Sequence, residues 1–106
     1  MPAVVIGVIG TADGTMFGTP LFVRSFDPDA PAGPSTVEES GYAIRGAWGG
    51  LTVITKDRDQ AMRFANAAEA LALWKTQSAA APLRPDRRPN RPMTVLSVEI
   101  IREEDL

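Results

Sequence analysis

Seven residues near the N-terminus limit the folds open to this chain more than any other segment. Residues 3–9 read Ala-Val-Val-Ile-Gly-Val-Ile, a run rich in β-branched residues that is apolar at both alternating positions. Successive side chains of a strand point to opposite faces of the sheet, so such a run is typical of an interior strand covered on both sides. We therefore expect a central strand at this position.

Four further stretches have strand-like patterns. Residues 21–26 follow the glycine-rich turn at residues 10–14, which predicts a hairpin with the first strand. Residues 42–44 and 51–55 flank a second glycine-rich stretch, and they form either one bulged strand or two short strands. Residues 94–101 predict the last strand, because apolar and polar side chains alternate along them.

Two helix starts are indicated by capping boxes, in which one side chain caps a backbone N–H and a second side chain three residues later returns the hydrogen bond. Asp57 with Gln60, and Asn66 with Glu69, have this spacing. The second helix is the clearer one, and Phe64 is expected to pack beneath it. Its apolar stripe follows the helical spacing and consists of Ala67, Ala70, Leu71 and Trp74.

These patterns predict a single small α+β domain over residues 1–106. We expect a three- to four-stranded, mostly antiparallel sheet with one principal helix on one face, in β-β-β-α-β order. One helix cannot cover both faces of a sheet whose first strand is apolar on both sides. A second copy of the chain is the economical cover, so we expect a homodimer. The alternative is that the two long loops, residues 27–41 and 82–92, fold over that face.

The residue types exclude much of enzyme chemistry. The 106 residues include no Cys and no His, so thiolate nucleophiles, imidazole general bases and the usual zinc and haem ligands cannot occur. We expect no enzyme, no cofactor and no metal. The remaining catalytic candidates are carboxylates with a shifted pKa, such as Asp13, Asp27 or Asp29. The formal net charge of -2 gives no overall attraction to nucleic acid or to anionic membranes.

Residues 82–92, the Arg/Pro segment, have the most distinctive chemistry of the chain. Their four prolines exclude a helix or an interior strand and favour an extended polyproline II conformation. Guanidinium groups pair with carboxylates and phosphates, which suggests an acidic protein partner or, as the second choice, nucleic acid. Nucleic acid is disfavoured because no aromatic residue lies among the arginines. The candidate partner-binding side chains are Arg84, Arg87, Arg88 and Arg91.

A purely structural role is the alternative for the Arg/Pro segment. It would then only connect the helix to the last strand, with its arginines paired to the acidic residues 103–105 or to Asp57 and Asp59. Trp48 is the fifth candidate contact, because it lies among glycines and Trp is enriched among the residues that dominate interface energies. The alternative for Trp48 is a core plug at a strand bulge, and Trp74 is expected in the core.

Two loops resemble ligand-binding motifs without matching them. Residues 7–14 are rich in glycine but lack the spacing of a dinucleotide fingerprint and the lysine of a phosphate loop, so we expect a hairpin loop. Residues 27–41 place acids at positions 1, 3 and 12 of a calcium-loop register, but Pro31 occupies a ligand position and the glycine is displaced by one residue. We expect a solvated acidic Pro/Gly loop there.

The N-terminal segment from Met1 to Gly10 has no basic leader, and its apolar run is too short for a secretion signal or a membrane span. We therefore expect a cytoplasmic protein without membrane attachment.

Residues 55–101 contain several short patterns in a fixed order. They are an Asp-rich helix start, Ala61-x-x-Phe64, Glu69-Ala70 followed by Trp74, and the Arg/Pro segment leading into a terminal strand. In this order the chain resembles small bacterial and prophage-associated proteins of unknown function. The resemblance implies an accessory role and supplies no activity, ligand or catalytic residue.

Overall fold

A computed structural model of the chain describes residues 3–106. Met1 and Pro2, which belong to the N-terminal segment considered above, lie outside the described residues. The strands are β1 (Val4–Thr11), β2 (Met16–Asp27), β3 (Thr36–Glu38), β4 (Gly41–Arg45), β5 (Leu51–Thr55) and β6 (Leu96–Arg102), and the helix is α1 (Ala67–Trp74). Short 3₁₀ turns occupy Arg58–Gln60, Pro92–Val95 and Glu103–Asp105.

The six strands form one antiparallel sheet in the order β3-β4-β5-β2-β1-β6. The prediction of three to four strands in β-β-β-α-β order is wrong, because five strands precede α1. The short strand β3 was missed because it is exposed along its whole length at the edge of the sheet. β4 and β5 are two separate strands that pair with each other. Gly49 and Gly50, with φ values of 104° and 96°, form part of the turn that joins them.

Strand β1 is an interior strand with both faces covered, as predicted. Val4, Ile6 and Val8 belong to the larger core cluster, together with Ala70 of α1. Val5 points the other way and packs with Phe22 in a small second cluster. Half-buried Ile101 and Leu106 pack against that second cluster. Neither long loop contributes to this cluster among residues 3–106, so the alternative that these loops cover the second face is wrong for that part of the sheet.

The hairpin of β1 and β2 is confirmed, and it contains a large bulge. Val8 pairs with Leu21, whereas Gly10 pairs with Met16, so residues 17–20 lie opposite Ile9 alone. The bulge places Phe17 against Tyr42 of β4, with ring centroids 6.3 Å apart.

The start of α1 is confirmed, but its buried side differs from the prediction. The Asn66 side chain accepts a hydrogen bond from the backbone N–H of Glu69, at 2.9 Å. Ala70 is buried, and half-buried Leu73 and Trp74 pack against the larger core cluster, as does Phe64. Ala67 and Leu71 are exposed. The other predicted helix start, at Asp57, leads only into the 3₁₀ turn Arg58–Gln60.

The loop between β2 and β4 is solvent-exposed over residues 31–39, but parts of it are tied to the rest of the fold. It contains β3, and Ala30 within it is buried. The Asp29 carboxylate accepts hydrogen bonds from the backbone N–H groups of Ala79 at 2.7 Å and Ala80 at 2.9 Å. These bonds join the loop to the residues that follow α1. Across residues 3–106, no helix has the length and apolar character that crossing a bilayer requires.

Candidate binding groove

The Arg/Pro segment is a tight hairpin and not an extended polyproline II strip. Leu83 and Pro89 form an antiparallel bridge, and the Arg84 N–H donates to the Arg88 carbonyl at 2.9 Å. The Arg87 N–H donates to the Arg84 carbonyl at 2.9 Å, which closes a turn with Pro85 at its second position. The prediction of an extended segment is wrong, because the Asp86 carboxylate and the backbone groups of residues 84–88 hydrogen-bond to one another and so form a turn.

Asp86 neutralises part of the charge of this hairpin. Its carboxylate lies 2.8 Å from Arg84 Nη2 and 3.8 Å from Arg88 Nε. A hydrogen bond from the Arg88 backbone N–H, followed by the interactions with Arg84, lowers the pKa of Asp86. The expected pairing with residues 103–105, Asp57 or Asp59 is wrong for Arg84 and Arg88. The acids at 103–105 pair instead with Arg63 and Arg102.

Trp48 lies at the tip of the turn between β4 and β5, and 43% of it is exposed. The core-plug interpretation is therefore wrong. The Arg84 guanidinium carbon lies 5.2 Å from the centroid of the Trp48 ring, which is a cation–π distance. Trp74, by contrast, is half-buried against the core and donates its indole N–H to the Leu96 carbonyl at 3.2 Å.

Asn90 holds these segments together and was not among the predicted residues. It is only 3% exposed. Its Nδ2 donates to the carbonyls of Trp48 at 3.2 Å and Ala81 at 2.9 Å. Its backbone N–H donates to Pro82, and its carbonyl accepts from Ser78. The one signal in the sequence was an uncharged amide among arginines and prolines, a residue type that hydrogen-bonds to backbone in turns.

A groove of about 390 Å³ lies between three segments, residues 11–13, residues 46–48 and parts of residues 84–95. It brings together three of the five predicted contacts, Trp48, Arg84 and Arg91. Arg87 and Arg88 are exposed and do not line the groove. Its volume is in the range of small-ligand sites.

Asp13 brings a negative charge to the wall of the same groove. Its carboxylate accepts hydrogen bonds from the Thr11 hydroxyl and from the Thr15 backbone N–H. These hydrogen bonds lower the pKa of Asp13, and the bonds from Ala80 and Ala79 likewise lower the pKa of Asp29. Both carboxylates are ionised at neutral pH, whereas a general acid needs a raised pKa.

The acids of residues 27–41 that resemble a calcium loop in sequence do not lie close together in the structure. Asp27 accepts a hydrogen bond from the Asp29 backbone N–H at 3.0 Å, and Asp29 faces the residues after α1. In the part of the chain that the structure describes, no three acidic side chains lie close enough together to hold a metal ion.

Comparison of the chain with protein-family models, with curated proteins and with solved structures gives no match.

Proposed function

We propose that this protein is a non-enzymatic interaction module that binds an acidic partner protein at the groove beside Trp48. One observation carries the proposal: an exposed indole shares a single groove with the guanidinium groups of Arg84 and Arg91. Trp and Arg are the side chains most enriched among residues that dominate binding energy. An accessory role agrees with the resemblance to prophage-associated proteins, and the cytoplasm is the proposed compartment.

Each groove residue has a distinct part in the proposal. Trp48 supplies apolar contact area, and hydrogen bonds within its turn and from Asn90 Nδ2 to its carbonyl fix the backbone that carries the ring. Asp86 holds Arg84 against that ring. Arg91 orients the acidic partner through charge, which affects partner choice and association rate more than affinity.

The test is a pull-down from nuclease-treated lysate with two double variants that each remove two positive charges. Arg84→Ala with Arg91→Ala changes the groove, whereas Arg87→Ala with Arg88→Ala changes the exposed arginines outside it. We expect the first pair to lose the captured protein and the second pair to keep it, after circular dichroism has shown that both are folded. Equal capture by both variants, or equal loss, would contradict binding at the groove.

Nucleic acid is the second candidate, because the fold places Trp48 beside Arg84 and so supplies an aromatic ring that the Arg/Pro segment lacks. Fluorescence anisotropy with labelled single-stranded oligothymidine tests it. Binding at low salt that falls steeply as salt is added, and that Arg84→Ala with Arg91→Ala abolishes, would support this candidate. No binding at low salt would remove it.

A second copy of the chain is the other partner we propose. The support is the second face of the sheet, where half-buried Ile9 and Ile101 line a shallow cavity of about 240 Å³. The buried apolar cluster on this face, Val5, Phe22 and Ala61, is much smaller than the core cluster on the other face.

A further inference from the structure

Asn90 has one unused hydrogen-bonding atom. Its Nδ2 donates to two carbonyls, which fixes the orientation of the amide. Its Oδ1 accepts no hydrogen bond from any residue in the range 3–106. Every fully buried side-chain nitrogen or oxygen in that range has a partner, so Oδ1 is reachable by solvent. Asn90 is one of the residues that line the groove. An occupant of the groove that reaches Oδ1 can therefore donate one hydrogen bond to it.

The charges around this acceptor are few. Arg91 follows Asn90 directly, lines the groove and forms no ion pair with the described residues. Arg84 is occupied by Asp86. Asp13 places an ionised carboxylate in the groove wall. The groove thus has one uncommitted cation, one anion and one acceptor beside an aromatic ring.

Building on the proposed function, we propose that the groove binds an extended peptide segment of the partner that carries a single carboxylate side chain. The carboxylate pairs with Arg91, a neighbouring backbone N–H donates to Asn90 Oδ1, and an apolar side chain contacts Trp48. A run of acids or a nucleic acid strand fits less well. Asp86 already occupies Arg84, and Asp13 repels additional negative charge.

The probe is a phage-displayed library of short random peptides, selected on the wild-type protein and counter-selected on Arg84→Ala with Arg91→Ala. We expect the selected peptides to share one Asp or Glu at a fixed position. Replacing that acid by its amide should weaken binding at least about tenfold, because a charge-assisted hydrogen bond is lost. The same replacement should have little effect on Arg91→Gln.

The acceptor of Asn90 is tested with a peptide in which an ester replaces one amide, which removes the N–H and keeps the shape. At one position the ester should weaken binding about tenfold. Asn90→Ala should abolish this difference. If Asn90→Ala does not fold, the ester series on the wild-type protein and the comparison with Arg91→Gln test the proposed binding mode.

The outcomes distinguish failure of the single-carboxylate inference from failure of the proposed protein-binding function. Peptides that need Trp48 but tolerate removal of the acid and every ester would overturn the single-carboxylate inference and leave the interaction module standing. Selection of acidic runs would overturn it in the same way. If oligothymidine binds at the groove and no peptide does, both the inference and the protein-binding function are wrong.

Discussion

Arg87 is the one non-glycine residue with positive φ, at 67°, among the residues that the structure describes. It follows Pro85 and Asp86 in the turn of the Arg/Pro segment. This left-handed conformation costs most L-residues about 1–2 kcal/mol and costs glycine almost nothing. The turn therefore contains strain, which is offset by the hydrogen bonds from the Arg87 N–H to the Arg84 carbonyl and from the Arg84 N–H to the Arg88 carbonyl.

We expect Arg87→Gly to raise the free energy of unfolding by about 0.5–1 kcal/mol, since it removes the strain and adds some chain entropy to the unfolded state. Urea unfolding measures this change. Arg87→Ala is the matched control, because it removes the same charge but keeps the Cβ atom. An equal gain from both variants would attribute the effect to charge and not to backbone strain.

Sequence reasoning found candidates at the residue scale where chemistry alone is distinctive. Arg84, Arg91 and Trp48 are separated along the chain, yet the fold brings them to one groove. Asn90 could not be found in this way, because its importance lies in two carbonyls supplied by other turns. Arg87 and Arg88 have the same chemistry as Arg84, and only the shape of the turn separates them from the groove.

At the scale of elements, the turn between β4 and β5 sets the position of Trp48. A Cβ atom at Gly50 would lie 2.2 Å from the Pro92 Cβ, and the φ of Gly50 is +96°. The turn and the Arg/Pro segment thus approach each other closely only because residue 50 is glycine. Sequence patterns indicated a glycine-rich stretch but not the contact with Pro92, which depends on tertiary approach.

We expect Gly50→Ala to lower the free energy of unfolding by about 2–4 kcal/mol, through backbone strain and the overlap with Pro92. Thermal unfolding measures the loss. Gly18→Ala is the control, because nothing lies within 4 Å of the added Cβ atom and that glycine has no positive φ. The control should change stability by less than about 0.5 kcal/mol. A similar loss from both substitutions would be evidence against the close approach.

At the scale of the whole molecule, Asp29 joins parts of the chain that the sequence keeps far apart. Its hydrogen bonds from Ala79 and Ala80 lower its pKa below 3.8. A lowered folded-state pKa contributes stability above the unfolded value, and that contribution is lost as the pH falls through the folded value. The sequence presented Asp29 as one of several loop acids, and no local pattern revealed its partners.

We expect Asp29→Asn to be less stable than the wild type at neutral pH, with the difference shrinking as the pH falls below 3.8. Urea unfolding across that pH range measures it. Asp59→Asn is the control, because it removes one exposed charge from a carboxylate that accepts no hydrogen bond from residues 3–106. A constant difference across the pH range would show that the Asp29 carboxylate is not the cause.

The proposed dimer also belongs to this scale. Size-exclusion chromatography with light scattering should give twice the chain mass of 11.4 kDa at high protein concentration. Ile9→Lys, on the second face, should reduce the mass to that of one chain while keeping the circular dichroism spectrum. A wild type that stays at one chain mass at every concentration would leave that face without a second copy.

The pairing of β1 with β6 has a consequence for biosynthesis. Val4 lies opposite Arg102, so β1 is synthesised before the other five strands of the sheet, and one of its edges stays unpaired until β6 has been made. Until then an apolar strand presents open backbone groups to other chains. A nascent chain halted before β6 would keep this edge of β1 open, which makes an incomplete copy prone to aggregation.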